Sequence, residues 1–299
     1  MTRPPTLEDF VTDSRIVRLL CRKRISLARR RRRVAFVSRV SGDRAQSKEE
    51  ELLQLLPPRR HWPRLDRIGR KTSDDLPAAT ASLLARFVIG QLQSNPAGFQ
   101  WSRNLRVFID GVRQRVVDWT VDNPFEPEAI LPIPKKKPGN RQPYRVLARY
   151  SLSDSIVSCA FAGYLRALID PVLDQSCYAF RLPRAGSPLT HHDAVRELRA
   201  FAMGTKTRGN LWVAECDIQG FFDAVSHDVA RTAVGGLLVE RGIAADPRLA
   251  AFMESFLTGY EYEMARALAE KHLDSKGIAG PVLFDPRLKI KALKIPLPQ

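Results

Sequence analysis

An apolar segment ends in a single acidic residue at Leu211-Trp212-Val213-Ala214-Glu215-Cys216-Asp217, and the chain continues as Ile218-Gln219-Gly220-Phe221-Phe222-Asp223. A short apolar run of this kind predicts a buried strand that delivers Asp217 to its exposed end. Gly220 permits a turn after the strand, and two aromatic residues follow it. Carboxylate oxygens are the ligands that a hard cation such as Mg2+ prefers. Asp217 is therefore a candidate metal ligand.

The charge of the chain is strongly basic. Among its 299 residues, 48 Lys and Arg stand against 32 Asp and Glu, a formal net charge of +16. Residues 1–70 hold 19 of the basic and 8 of the acidic residues, an excess of +11. This balance favours a polyanionic partner, most often nucleic acid, over a merely solubilising basic surface. The candidate contacts are Arg29, Arg30, Arg31, Arg32 and Arg33.

The cysteines and the apolar runs bear on the compartment. Four cysteines without a CxxC pair are typical of reduced, mostly buried thiols in an intracellular protein, and not of a zinc site or disulfide framework. We find no apolar run approaching the roughly 18 residues of a membrane span, and no apolar leader at the N-terminus. We therefore expect a cytoplasmic protein that does not contact a membrane.

Apolar periodicity predicts the helices. Residues 1–75 read as a basic extension that is largely helical or disordered, with a helix around residues 16–33 and with part of the segment ordered only when bound. Leu83, Leu84, Phe87, Val88 and Leu92 predict one helix, and Leu105, Ile109, Val112, Val116 and Trp119 predict a second. Ile156, Ala160, Tyr164 and Leu168 predict a third, which Pro171 closes. Further helices are expected over residues 192–201, 228–239 and 247–271.

Three more segments bear on function. Ile133 to Leu147 reads as two strands joined by a turn at Lys135-Lys136-Lys137-Pro138-Gly139, and alone this is a solvated basic hairpin. Arg145 to Ile156 joins the second strand to a helix, with Asp154 as a suitable N-cap. In Cys177-Tyr178-Ala179-Phe180-Arg181 the rings read as core aromatics and Arg181 as a surface charge.

These segments, in this order over residues 131–228, resemble bacterial reverse transcriptases of the kind found in group II intron maturases, retrons and phage-defence enzymes. Cys177–Arg181 is similar to the family's SYGFR element, His192-Asp193-Ala194 to its HDA element, and Leu211–Asp223 to its first catalytic motif. The resemblance implies an α/β (α+β) fold, the fingers and partial palm of a right-hand polymerase. The implied segments are a basic extension over 1–75, a helical lead-in over 76–125, fingers over 126–210 and the first part of the palm over 211–299.

The resemblance also implies roles for basic and polar residues. Either Lys135 or Lys136, together with Arg145, would contact the triphosphate of an incoming dNTP. Cations at these places would neutralise phosphate oxygens as charge builds during transfer. Arg181 would lie near nucleic acid. Gln299 matches the glutamine of the family's PQG motif, which contacts the nucleotide and the template.

At the central motif, the resemblance implies two-metal-ion nucleotidyl transfer. Asp217 would supply a carboxylate, and the backbone carbonyl of Ile218 a further oxygen, to two Mg2+ ions about 4 Å apart. Phe222 occupies the steric-gate position, where a ring leaves no room for a 2′-hydroxyl and so favours deoxynucleotides. Asp223 and His227 fit the FFDxxxH signature of the bacterial subgroup, for which we expect structural hydrogen bonding.

We expect the complete enzyme to extend a primer on an RNA template. The acidic pair of the family's YxDD hairpin has no candidate before Gln299, so we expect the chain to be inactive alone unless a second chain supplies the missing palm and thumb. The alternative is a non-catalytic RNA-binding protein, either maturase-like or a pseudo-polymerase.

Overall fold

A computed structural model describes residues 3–29, 50–63, 76–95, 98–123, 125, 127, 129–134, 144–174, 176–178, 181, 191–204 and 225–259. Over these residues the protein is mostly helical and contains one two-stranded antiparallel sheet. The elements are α1 (Asp13–Arg29), α2 (Leu76–Ser94), α3 (Gln100–Val117), β1 (Ala129–Pro134), β2 (Tyr144–Arg149), α4 (Leu152–Ile169), α5 (His191–Gly204), α6 (His227–Glu240) and α7 (Pro247–Leu257). Short 3-10 turns span Leu7–Phe10, Arg59–His61 and Asp170–Val172, and residues 50–55 are helical.

The chain divides into two compact units. The smaller unit comprises Met1–Thr6 and Ala162–Leu249, and the larger comprises Leu7–Phe161 and Ala250–Gln299. The division falls inside α4 and inside α7, so that the first part of α4 and the last part of α7 belong to the larger unit. The segments expected from the sequence, with boundaries after residues 75, 125 and 210, stay predictions.

In the larger unit, α1 packs against α2 through an apolar face. Ile16, Val17, Leu20, Cys21 and Ile25 of α1 are all buried. Their spacing places them on one side of the helix, and burial of such a face is what holds most helices in place. The helix predicted around residues 16–33 is confirmed over Asp13–Arg29, and the ordering of part of the extension on binding stays a prediction.

The next two predicted helices are confirmed as α2 and α3. All five apolar residues of the second pattern, from Leu105 to Trp119, are buried. Trp119 follows the end of α3 and enters an aromatic cluster with Phe125, Phe161 and Phe252. The rings of Phe161 and Phe252 stack with centroids 4.3 Å apart. This cluster forms the core where α3, α4 and α7 meet within the larger unit.

The predicted pair of strands is confirmed as a hairpin. Strand β1 pairs antiparallel with β2 from Ala129 opposite Arg149 to Pro134 opposite Tyr144. The connecting residues 135–143 lie outside the described residues. Since Pro134 and Tyr144 are the last pair of the ladder, the chain that carries the three lysines leaves and re-enters the sheet at this end.

Helix α4 follows β2 after a two-residue junction. Its N-cap is Ser151, whose hydroxyl accepts the backbone N–H of Asp154 at 2.9 Å and donates to the Asp154 carboxylate at 2.7 Å. The expectation that Asp154 is the N-cap is wrong, because Asp154 is the third residue of the helix. A serine followed three residues later by a carboxylate is the side-chain arrangement of a helix start.

The same helix is unusually apolar. With the following turn, Leu152–Val172 forms a 21-residue segment that is long and apolar enough to cross a membrane by length and composition. The expectation that no run approaches this length was therefore wrong. Ile156, Val157 and Phe161 are fully buried within the protein, which is the pattern of a core helix.

The smaller unit contains the end of α4 and helices α5 and α6. These two helices confirm the predictions for residues 192–201 and 228–239. The Tyr164 hydroxyl of α4 accepts the backbone N–H of Asp246 at 3.0 Å, which fastens the residues before α7 to α4. Helix α7 begins at the predicted Pro247, and the predicted strand over Leu211–Asp217 lies outside the described residues.

Candidate nucleotide and nucleic-acid site

Most residues proposed for chemistry lie outside the described residues. This applies to the predicted metal ligands Asp217 and Ile218 and to the predicted steric gate Phe222. It also applies to Lys135, Lys136, Gln299, Arg30, Arg31, Arg32 and Arg33. The roles given to them stay predictions. No group of three His, Cys, Asp or Glu residues able to hold a metal ion occurs among the residues that the structure describes.

Arg145 is the predicted nucleotide contact whose backbone position is described. It is the second residue of β2 and pairs with Ile133 of β1. The next pair, Pro134 and Tyr144, closes the ladder, and Lys135 directly follows Pro134 in the chain. Residues opposite one another in an antiparallel pair have Cα atoms about 4.5–5.5 Å apart. Arg145 therefore lies one residue from the end of the hairpin at which the lysine segment begins.

A partly buried ion pair fixes the junction between this hairpin and α4. Nη2 of Arg115, on α3, lies 2.6 Å from Oδ1 of Asp154, and the side chain of Asp154 is 10% exposed. The approach is an ion pair rather than an aligned hydrogen bond, since Oδ1 of Asp154 accepts no hydrogen bond. The Arg115 guanidinium also lies 5.5 Å from the centre of the Trp119 ring. The ion pair therefore holds the first turn of α4 against α3, and only two residues separate α4 from the end of β2.

Arg181 is buried and organises the turn that follows α4. Its side chain is 0% exposed, and its Nε lies 2.8 Å from Oδ1 of Asp170. Nη2 donates to the Asp170 carbonyl, and Nη1 donates to the carbonyls of Asp174 and Cys177. Arg166 in turn donates to the carbonyl of Arg181.

The expectation that Arg181 is a surface charge is therefore wrong. Its guanidinium is directed at protein oxygens on each of its three nitrogens, as a buried charge requires. The role near nucleic acid that the resemblance implies stays a prediction, and the geometry described here gives Arg181 a structural role.

Three groups have shifted pKa values with identifiable causes. Hydrogen bonds from the Ser176 side chain and backbone hold the pKa of the exposed Asp174 carboxyl below its usual range. The Arg248 side chain does the same for the pKa of Asp246, mainly by hydrogen bonding. Burial raises the pKa of the Cys21 thiol to about 12. Both carboxylates are therefore ionised at neutral pH, and Cys21 is not a nucleophile there.

The cysteines match the expectation only in part. Cys21 is buried, Cys177 is half-buried and Cys159 is exposed, and none of the three is in a disulfide. Cys216 lies outside the described residues.

Helix α1 carries a basic face that the sequence reading did not resolve. Arg15, Arg18 and Arg22 recur at intervals of three and four residues, and all three are exposed. Their spacing places them along one side of the helix, opposite the apolar face that packs on α2. Arg29, a predicted nucleic-acid contact, is the last residue of the same helix.

Comparison with known proteins does not assign the chain to a family. No protein-family model matches the chain, and neither a curated protein nor a solved structure gives a significant match.

Proposed function

We propose that the chain is part of an RNA-directed DNA polymerase of the bacterial reverse transcriptase type, carrying the fingers and the first part of the palm. The observation that carries this proposal is the order of the motifs along the chain, from the lysine segment at Lys135 to Phe222. The β1–β2 hairpin followed at once by a capped helix supports it, because this is the element order that the resemblance requires over residues 129–169.

The proposed nucleotide contacts are Lys135 or Lys136, with Arg145 beside them on the hairpin. Ammonium and guanidinium groups at the end of a hairpin can reach a triphosphate that enters from solvent. The Arg115–Asp154 ion pair supports this arrangement, since it holds the residues that follow β2. Gln299 is proposed to contact the nucleotide and the template.

Asp217 and the carbonyl of Ile218 are proposed to hold Mg2+ at the end of their strand. Two such ions, when bound, would lower the barrier to attack by the primer hydroxyl and stabilise the leaving pyrophosphate. Phe222 is proposed to exclude the 2′-hydroxyl of a ribonucleotide by packing against the sugar. The proposed partners are therefore an RNA template, a DNA primer and dNTPs, in the bacterial cytoplasm.

Primer extension tests the proposal. The longest product of the reading frame that contains this chain is incubated with an RNA template, a labelled DNA primer, dNTPs and Mg2+, alone and with any second chain encoded beside it. Asp217→Ala should abolish DNA synthesis, whereas Phe222→Ala should keep it and increase ribonucleotide incorporation. Asp228→Asn, at a carboxylate with an 89% exposed side chain on α6, is the matched control and should retain activity.

The result that would overturn the proposal is equal DNA synthesis by the parent protein and by Asp217→Ala. Absence of synthesis on every primed template would also count against it.

A second candidate is a non-catalytic RNA-binding protein, and the basic face of α1 favours it because that face requires no metal. The two candidates differ in dNTP binding. A polymerase should bind a labelled dNTP in the presence of Mg2+ and lose that binding in Arg145→Ala, whereas the binding protein should retain RNA and ignore dNTPs.

A further inference from the structure

One arginine of α3 holds the segment from which the β1–β2 hairpin extends. We call residues 149–154 the hairpin base, because they join the end of β2 to the first turn of α4. Nη2 of Arg115 lies 2.6 Å from Oδ1 of Asp154, and the other oxygen of that carboxylate accepts the Ser151 hydroxyl at 2.7 Å. The ion pair therefore acts on the start of α4 and, through Ser151, on its cap.

Arg115 belongs to a helix that is packed into the core of the larger unit. Leu105, Ile109 and Val112 are buried along one side of α3. The Arg115 guanidinium lies 5.5 Å from the centre of the buried Trp119 ring, an attraction that limits the positions of the side chain. A side chain restricted in this way loses less conformational entropy in an ion pair than a free surface side chain does.

A stack of aromatic rings holds the same hairpin base. Tyr150, the residue after β2, stacks on the buried Phe125 with ring centroids 4.5 Å apart and an interplanar angle of 28°. Phe125 in turn packs edge-on against Phe252 of α7, at 5.1 Å. Both residues of the junction between β2 and α4 are thus held, Tyr150 by its ring and Ser151 by its hydrogen bonds to Asp154.

A small movement of the hairpin base becomes a larger movement at Arg145. Arg145 precedes Arg149, the last residue of β2, by four positions, and a strand rises about 3.3 Å per residue, so the two lie about 13 Å apart. Rotation of the hairpin by roughly 10° about its base displaces Arg145 by about 2 Å. A misplacement of about 1 Å in a group that orients a substrate can lower the rate by up to about a hundredfold.

We propose that Arg115 is a positioning residue for nucleotide binding, which acts through Asp154 to hold the hairpin at the angle at which Arg145 meets the triphosphate. Arg115 itself does not touch the nucleotide. The inference rests on the proposed function, because it takes Arg145 as a contact of the incoming dNTP. Arg113, two residues earlier on α3, pairs with Asp13 at the start of α1 and so provides a comparison on the same helix.

Hydrogen exchange tests the anchoring without reference to catalysis. Mass spectrometry follows amide exchange of the 299-residue chain in a peptide that spans residues 144–158. Arg115→Met keeps an apolar stem but removes the charge, and should speed exchange in this peptide about tenfold, because local opening depends on the contacts that hold a segment. Arg115→Lys keeps the charge and should restore most of the protection. Arg113→Met is the matched control and should leave exchange in this peptide unchanged.

A double-mutant cycle tests the positioning of Arg145. We would measure kcat/KM for dNTP incorporation on a primed RNA template, with the longest product of the reading frame that contains the chain. Arg115→Met should lower kcat/KM by at least about tenfold in the parent protein. In the Arg145→Ala background the same change should have no further effect, because the residue that Arg115 positions is gone. Arg113→Met should have no effect in either background.

Two results would overturn the inference and leave the polymerase assignment in place. One is equal exchange of residues 144–158 in the parent and in Arg115→Met. The other is an equal loss of kcat/KM on Arg115→Met with and without Arg145, which would show that Arg115 only stabilises the fold. Absence of DNA synthesis by the parent protein would instead overturn the proposed function, and with it the nucleotide role of Arg115, whatever the exchange experiment shows.

Discussion

Arg181 and Arg22 carry the same guanidinium in opposite surroundings. Arg181, in the smaller unit, is fully buried, and each of its three side-chain nitrogens donates to an oxygen of the turn after α4. Arg22, on α1 of the larger unit, is exposed and has no acidic partner among the described residues. A buried arginine stabilises the fold that surrounds it, while an exposed one is free to act on a partner. The comparison teaches that exposure, and not residue type, separates structural from binding arginines in this basic chain.

The largest expected effect comes from removing Arg181. Arg181→Met leaves the Asp170 carboxylate buried without its ion pair and should lower the free energy of unfolding by about 3–5 kcal/mol. Urea denaturation followed by circular dichroism measures this loss. The double variant Arg181→Met, Asp170→Leu removes both charges and should be more stable than the single variant. If the single variant were as stable as the parent, the structural role of Arg181 would be excluded.

An intermediate effect is expected at Asp154, whose partner Arg115 has a side chain that is 29% exposed. Asp154→Asn removes the charge opposite Arg115 and should lower the free energy of unfolding by about 2 kcal/mol. The control is Asp110→Asn, at an exposed carboxylate on α3, the helix that carries Arg115. It should change the free energy of unfolding little. Equal losses in the two variants would contradict the special role of the junction after β2.

A smaller, pH-dependent effect is expected at Asp246. The Arg248 side chain holds the pKa of Asp246 below its usual range, so the stabilisation is present above the unfolded value of about 3.9 and is lost as pH falls through the folded pKa. Arg248→Gln should therefore be less stable than the parent at pH 5, and the difference should shrink toward pH 2. Urea denaturation at both pH values measures it. A difference that stays constant with pH would show that Arg248 acts through packing alone.

The smallest effect on stability is expected at Arg22. Arg22→Gln should change the free energy of unfolding by no more than about 0.5 kcal/mol, as at other exposed positions. The same change should lower the slope of log RNA affinity against log salt concentration by about 0.7, which is the contribution of one phosphate contact to a single strand. A large loss of stability without a change in this slope would show that Arg22 has a structural role, like Arg181, and does not contact RNA.

The helices could be predicted because each repeats its apolar residues at the spacing of a helix. Leu105, Ile109 and Val112 are buried as their pattern requires, and the same holds for Ile156 and Ala160 of α4. The hairpin was predictable because proline and glycine separate two apolar runs. The packing of α1 had the same signal in Ile16, Val17 and Leu20, but the surrounding arginines favoured the interpretation of an extension.

The arginine contacts were less predictable, because they depend on which chain segments meet in space. Nothing in the sequence around Arg181 shows that Asp170, 11 residues earlier, is its partner. The Ser151–Asp154 spacing is a helix-start signal that could have identified Ser151 as the cap. The proximity of His61 to Phe99 joins residues 38 positions apart across two segments, which no local pattern reveals.

The buried thiol of Cys21 can report how often α1 separates from α2. Raising its pKa from 9.0 to about 12 lowers the thiolate fraction at neutral pH about a thousandfold. A thiol-reactive probe therefore modifies this residue only when α1 lifts from α2, and it does so without any engineered label. Mass spectrometry of the Cys21 peptide after timed exposure would report how often the basic helix opens, and whether a bound nucleic acid holds it closed.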